Sequence, residues 1–328
     1  MNEFELIKRY FTRDVESDDD SESTDHNDTV AIGVGDDCAV LNVPVDHQLV
    51  VSIDTLIAGV HFPKQSEAYA VAQRAFSVCV SDLAAMGAEP LWFTLALTLP
   101  NTNETWLEKF SMGLFDIADE YNCILVGGNT TRGPLSISIQ VHGAVPSGQA
   151  ITRSGAKVGD LVYVSGPLGD GAAALAMLDK RVKFNDEANE YFYSRFFWPE
   201  AKIDLGLKLR EIATSAIDIS DGFLADLNHI CTASKVAAEI CVEKLPHSQH
   251  RIDQAMFVKD DSLGIKWQQW ILSGGDDYQL CFTAPAEANV EALDQHIRCI
   301  GKIVEGQGVL CTLDGKEVAL SRLGYQHF

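Results

Sequence analysis

Three glycine-framed pairs of acids mark this sequence: Asp36 and Asp37 in GVGDDCAVL, Asp218 and Asp221 in DISDG, and Asp276 and Asp277 in SGGDDY. Asp and Gly both favour turns, so any one of these pairs has an ordinary explanation in turn chemistry. Their accumulation, together with Asp54 and Asp82, weakens it. Carboxylates collected around a cleft are the ligand type for Mg2+, which keeps several waters and takes its remaining oxygens from phosphates. The chemistry this points to is metal-assisted work on phosphate groups. Two familiar phosphate-binding schemes are missing, since there is no GxxxxGK[ST] and no HRD or DFG triplet. Gly33 and Gly35 half-imitate GxGxxG, but Cys38 takes the third place, and two aspartates would face the pyrophosphate.

Regular elements must hold these acids. LVVSIDTLIAG reads as a strand whose period of two puts Ser52 and Asp54 on one face. Ser66 to Ala88 carries a helical pattern with apolar residues at 68, 71, 72, 75, 76, 79, 80 and 83. Asp82 interrupts that stripe among Ala75, Val78, Cys79, Ala85 and Met86, where an unpaired charge is costly, so it calls for a cation. LWFTLALTL and LSISIQVHGAV read as strands around a helix near Trp106 to Glu120 and a short strand ending in VGGNTTRG. That makes an α+β domain over residues 1–148. PSGQAITRSGAKVGD is rich in Gly, Ser and charge, and a second α/β unit, 149–328, begins there with LVYVSG and a glycine turn, GPLGDG, that opens a helix.

Composition narrows the field. The chain has 328 residues, 46% hydrophobic, with a formal charge of −22. It is long enough for two domains, and its charge argues against binding a nucleic-acid backbone or an anionic membrane. No uninterrupted apolar run approaches the ~18 residues of a membrane helix. The start, MNEFELIKRYF, lacks the features of a secretory signal, so a cytoplasmic location is the expectation. Residues 14–28 (DVESDDDSESTDHND) hold almost nothing apolar and read as a solvated, flexible loop. Eight cysteines, no two closer than ten positions, read as reduced core residues.

Taken in order, GVGDDCAVL, SIDTLIAGVHF, VSDLAAMGAEPLWFTLALTLP, VGGNTTRGPLS, ITRSGAKVGD, AIDISDG, LSGGDDYQLCF and the terminal GYQHF resemble the thiamine-monophosphate kinase family over nearly the whole chain. The resemblance implies the two-domain α/β fold shared with aminoimidazole ribonucleotide synthetase, an N-terminal mixed sheet with helices followed by a C-terminal α/β domain. It implies a homodimer paired through N-terminal strands, and ATP-dependent conversion of thiamine monophosphate to thiamine diphosphate with several Mg2+ ions. Carried over residue by residue, it assigns metal to Asp37, Ser52, Ile53 through its carbonyl, Asp54, Asp82, Asn129, Asp218 and Asp221. ATP falls to Gly128, Asn129, Arg153 and Ser220, and thiamine phosphate to His61, Asp276 and Tyr325. Asp54, Asp82 and Arg153 become the catalytic set.

Three positions depart from the family pattern. Asn129 stands where a GGDTT motif has a metal-binding aspartate, Ile53 where relatives offer Thr, and Asp276 where Glu is common. The acceptor is itself a phosphate, largely dianionic because its second pKa is near ~6, so no strong general base is needed. Direct in-line transfer, without a phosphoenzyme, is the expected course. The alternatives are another ATP-dependent enzyme of this superfamily and a nucleotide-binding protein without turnover.

Overall fold

The computed structural model describes residues 3–13, 26–250 and 261–318. Tyr325 and most of the acidic 14–28 segment lie outside that range. The chain divides into two compact units: residues 1–83 with 88–148, and residues 84–87 with 149–328. Among the described residues no helix is long and apolar enough to cross a membrane.

The first unit opens with α1 (Glu3–Tyr10) and a short hairpin of β1 (Val30–Ile32) and β2 (Val40–Leu41). Its main sheet has four strands in the order β3 (His47–Ile57), β6 (Ser136–Pro146), β4 (Glu89–Leu99), β5 (Ile124–Arg132). β6 pairs antiparallel with both β3 and β4, and β5 runs parallel to β4. Two helices, α2 (Ala68–Ala85) and α3 (Glu104–Glu120), belong to the same unit, apart from the last two residues of α2, Ala84 and Ala85, which are grouped with the second. α2 is shorter at both ends than its apolar stripe predicts. Ser66 is spent in a turn onto the Pro63 carbonyl, and Gly87, at φ +63°, ends the helix with the Ala88 N–H returning to the Leu83 carbonyl. Every position from Ala70 to Ser81 is buried, so α2 is covered all round rather than on one face. Gln73 and Arg74 are satisfied there by hydrogen bonds, Gln73 Nε2 to the Gly113 carbonyl at 2.9 Å and Arg74 Nε to the His61 carbonyl at 3.3 Å.

The second unit holds a seven-stranded sheet ordered β13 (Lys316–Glu317), β12 (Gly308–Leu313), β9 (Ala237–Cys241), β11 (Arg298–Val304), β7 (Leu161–Val164), β10 (Leu280–Ala284), β8 (Ser215–Asp218). Only β12 and β9 run parallel. Its helices are α4 (Asp170–Leu178), α5 (Asp186–Phe197), α6 (Ile203–Leu209), α7 (Phe223–Ser234) and α8 (Asp261–Ser273). The core packs Val162, Val164, Ile217, Phe223, Leu227 and Ile300, each nearly inaccessible. Cys79, Cys123, Cys231, Cys281 and Cys311 are buried free thiols and Cys38 is exposed. Burial pushes the thiol pKa values of the five buried ones up, so they stay protonated as small apolar side chains.

Candidate active site

Ser52 and Asp54 share a face of β3, as period two requires, and both are half-buried while Ile53 between them is 60% exposed on the other face. On α2, Asp82 meets that first face, with Ser52 Oγ donating to Asp82 Oδ2. Cys79, one turn earlier, donates to the Ile139 carbonyl opposite Asp54, and its thiol is pushed well up, first by burial and then by the charges of Asp54 and Asp82. Two carboxylates and a hydroxyl therefore converge beside a thiol that cannot ionise to join them.

Two expected partners are placed elsewhere. Asn129 pairs in register with Ala96, which pairs with Ser138 and so aligns with Thr55. That row belongs to the face of Ile53, opposite Ser52 and Asp54 and three strands from β3. Asp36 and Asp37 lie exposed between β1 and β2, and this hairpin packs Val30, Ala39 and Leu41 on Leu91, Trp92, Val126 and Ala144. Trp92 pairs with His142, opposite Val51, so the hairpin covers the Ile53 face too. Among the described residues no three His, Cys, Asp or Glu side chains form a ready metal cluster. The donor set around Asp54 and Asp82 is nevertheless all hard oxygen, which fits Mg2+ completed by water and phosphate rather than a softer ion.

His61 follows β3, and its Nδ1 accepts the Ile57 N–H at 3.0 Å, which makes Nε2 the proton-bearing nitrogen of the neutral ring. Gly128 lies at φ +156°, and a Cβ there would stand 1.9 Å from the Leu95 carbonyl oxygen. Only glycine lets β5 run this close to β4.

In the second unit, Asp218 ends β8 nearly inaccessible, while Ser220 is exposed and Asp221 half-buried. This turn is laced to the segment carrying Asp276: the Asp276 N–H donates to the Ser220 carbonyl at 2.9 Å, and the Tyr278 N–H to that of Ile219 at 2.8 Å. Asp276 (φ +67°) and Tyr278 (φ +50°) both sit in the left-handed region, a strained pairing of the kind found at functional loops. The Tyr278 hydroxyl donates to Asp276 Oδ1 at 3.0 Å. Arg153 is exposed in a loop latched by Ser234, whose hydroxyl donates to the Arg153 carbonyl and accepts the Gly155 and Ala156 N–H groups. The Thr152 carbonyl accepts from Ala216 N of β8, the strand that leads into the Ser220 turn.

Sequence reasoning missed the role of two buried carboxylates. Asp277 accepts the Gly169 and Gly171 N–H groups at 2.7 and 3.1 Å, filling the glycine turn that opens α4, and burial pushes its pKa up to about 8. Asp226 accepts the N–H groups of Ser220, Asp221 and Gly222, and burial pushes its pKa up to about 7. Both helix N-termini that look like phosphate cradles are thus occupied by the protein's own carboxylates. The signal was an acid in the first turn of α7, inside ISDGFLADL; Asp277 had no local signal beyond its pairing with Asp276.

The fold and its acid-bearing turns define an AIR synthase related protein: the N-terminal domain model of that family matches residues 35–145, and its C-terminal domain model residues 157–313. Thiamine-monophosphate kinases from Escherichia coli O157:H7 and Haemophilus influenzae are 46% and 39% identical to it, covering 99% and 100% of this chain and 98% of each relative. The crystal structure of thiamine-monophosphate kinase from Stenotrophomonas maltophilia K279a superposes with a TM-score of 0.80 at 41% identity, over 89% of this chain and 93% of that one. AaThiL complexed with AMPPCP and TMP gives 0.76 at 33% identity, over 90% and 92%. The chain belongs to the thiamine-monophosphate kinase family.

Proposed function

We propose that the protein transfers the γ-phosphoryl group of ATP to thiamine monophosphate, giving thiamine diphosphate and ADP. The observation that carries this reading is the convergence of Ser52, Asp54 and Asp82 within a chain 46% identical, from end to end, to a thiamine-monophosphate kinase. AaThiL has been solved with AMPPCP and TMP, which supports the same pair of ligands here.

Asp54, Asp82, Ser52 and the Ile53 carbonyl would hold Mg2+ in the first unit and Asp218 and Asp221 in the second, while Asp37 and Asn129, on the other face of the β3 sheet, would serve a separate ion. Bound there, Mg2+ supplies positive charge against the repulsion between donor and acceptor phosphates. Two unit charges ~4 Å apart cost about 4 kcal/mol at an effective dielectric of 20, and several such pairs must approach. Arg153 adds fixed positive charge toward the nucleotide, with Gly128, Asn129 and Ser220 binding it. His61 offers its Nε2–H and Asp276 its carboxylate to the thiamine phosphate, with Tyr325 against the same ligand. No side chain need take a proton from the dianionic acceptor, and the transfer is in-line and direct, with the γ-phosphoryl bond to ADP breaking as the bond to the acceptor oxygen forms. The protein acts as a homodimer, supported by the apolar stripe that the edge strand β3 exposes.

The test is a Mg2+-dependent assay with ATP and thiamine monophosphate, resolving thiamine diphosphate and ADP by chromatography, with free thiamine as control acceptor. Equimolar thiamine diphosphate and ADP from the monophosphate alone is the expected result. Absence of product across a Mg2+ titration, or a trapped phosphorylated side chain, overturns the reading or its direct-transfer step respectively.

A further inference from the structure

Three successive amides that point one way form a concavity suited to an anion. In the turn after β8, that concavity is filled from within: Asp226 Oδ2 accepts from Ser220 N at 3.1 Å, Asp221 N at 3.1 Å and Gly222 N at 3.0 Å. One buried oxygen thereby fixes three consecutive peptide planes. The opposite edge of the same turn is fixed by Asp276 N and Tyr278 N, which donate to the Ser220 and Ile219 carbonyls. Gly222 completes the wedge, for a Cβ there would lie 2.9 Å from the Ser273 carbonyl carbon and oxygen.

Capping a helix needs less than this. A Ser, Thr or Asn side chain satisfies an N-terminal amide without bringing a carboxylate into the interior. Asp226 is 2% exposed, and no Lys or Arg ion pair offsets its burial among the described salt bridges. That costly arrangement is spent on a turn of three residues, two of which carry the exposed Ser220 hydroxyl and the Asp221 carboxylate.

We propose that Asp226 is a positioning residue for phosphoryl transfer, holding the Ser220–Gly222 turn so that Ser220 and Asp221 are presented together to the nucleotide and its metal. This deepens the function proposed above and rests on it. Asp226 itself touches neither substrate nor metal; it acts through the backbone of the residues that do.

The experiment compares wild type with Asp226→Asn and Asp226→Ala, and with Asp160→Asn as a control for losing a buried carboxylate. Asp160 is 6% exposed, accepts from Lys157 N and Thr214 Oγ1, and has no part in the site. In Asp226→Asn, kcat falls about 10- to 100-fold and half-saturating Mg2+ rises about tenfold, while KM for thiamine monophosphate stays within about twofold. The rise in unfolding temperature given to wild type by a non-hydrolysable ATP analogue with Mg2+ is lost as well. Asp160→Asn loses stability but keeps kcat, Mg2+ dependence and the ligand-induced rise. Wild-type kcat and Mg2+ dependence per folded Asp226→Asn molecule overturn the proposal, and this variant decides the matter even if Asp226→Ala does not fold. If wild type phosphorylates no thiamine monophosphate, the functional reading fails, and the ligand-induced rise in the Asp226→Asn protein still decides the role of Asp226.

Discussion

Asp54 and Asp82 act on the same small volume, since both charges are felt by the Cys79 thiol and Asp82 also accepts a hydrogen bond from the Ser52 hydroxyl. Asparagine keeps the shape and one acceptor oxygen at either position while removing the charge and turning the other oxygen into an NH2 donor. Asp54→Asn and Asp82→Asn are therefore each expected to lower kcat by about 10²-fold or more, with the unfolding temperature near that of wild type. Activity assays beside thermal melts check this, and a variant that keeps half its activity removes that carboxylate from the metal set. Asp277 carries a different consequence. Its pKa is raised by burial from the ordinary carboxylate value to about 8, so between about pH 4 and 8 the folded state binds a proton that the unfolded chain has released. Stability must fall as pH rises through that window and level off above it. Asp277→Asn removes this contribution, and melts from pH 5 to 8 should show a shallower decline than wild type; an unchanged slope would mean that Asp277 is ionised throughout.

The elements owe their precision to a few backbone features. At Gly128 the strands β5 and β4 approach so closely that alanine would strike the Leu95 carbonyl, and its φ of +156° is unfavourable to any side chain. Gly128→Ala should cost about 1–3 kcal/mol from the backbone conformation, more if β4 cannot shift, as read by urea unfolding. No loss would contradict the pairing of β5 with β4. Period two along β3 put Ser52 with Asp54, as the structure has them, because that signal is local, whereas the stripe of α2 said only that Asp82 sits among apolar residues, and its meeting with Ser52 thirty residues away was not readable. The face of Asn129 was not readable. Its row is set by pairing with β4, across an irregularity between Phe93 and Thr94, and pairing is a property of two strands. The insertion of β10 between β7 and β8 was hidden for the same reason, as was Asp277, whose amide partners Gly169 and Gly171 are more than a hundred residues away. Full burial of α2 escaped the sequence because Gln73, Arg74, Ser77 and Ser81 look like a solvated face until their buried surroundings are known.

For the molecule as a whole, the outstanding feature is the outer face of the four-stranded sheet. Leu49, Val51, Ile53 and Ile57 are 45%, 48%, 60% and 39% exposed in one stripe on β3, which ends the sheet. Eleven residues of edge strand with an apolar face invite pairing and are a liability if left bare. A second copy on a two-fold axis would meet the need, since the same stripe could then cover itself. Beside it the face turns polar, through Ser136, Ser138, Gln140 and His142 on β6, as the rim of such a contact would. Val51, with neighbours Leu49 and Ile53 on the same face, lies inside the stripe and outside the proposed site. Val51→Glu would bring a carboxylate from each copy into the contact, which costs little in a free chain and much in a dimer. Sedimentation velocity at micromolar concentration should give a wild-type dimer and a folded Val51→Glu monomer. A wild-type monomer removes the homodimer, and a Val51→Glu dimer moves the contact to another face. If the monomer also loses turnover while its melting temperature is kept, a second copy is needed for catalysis as well as for covering the sheet.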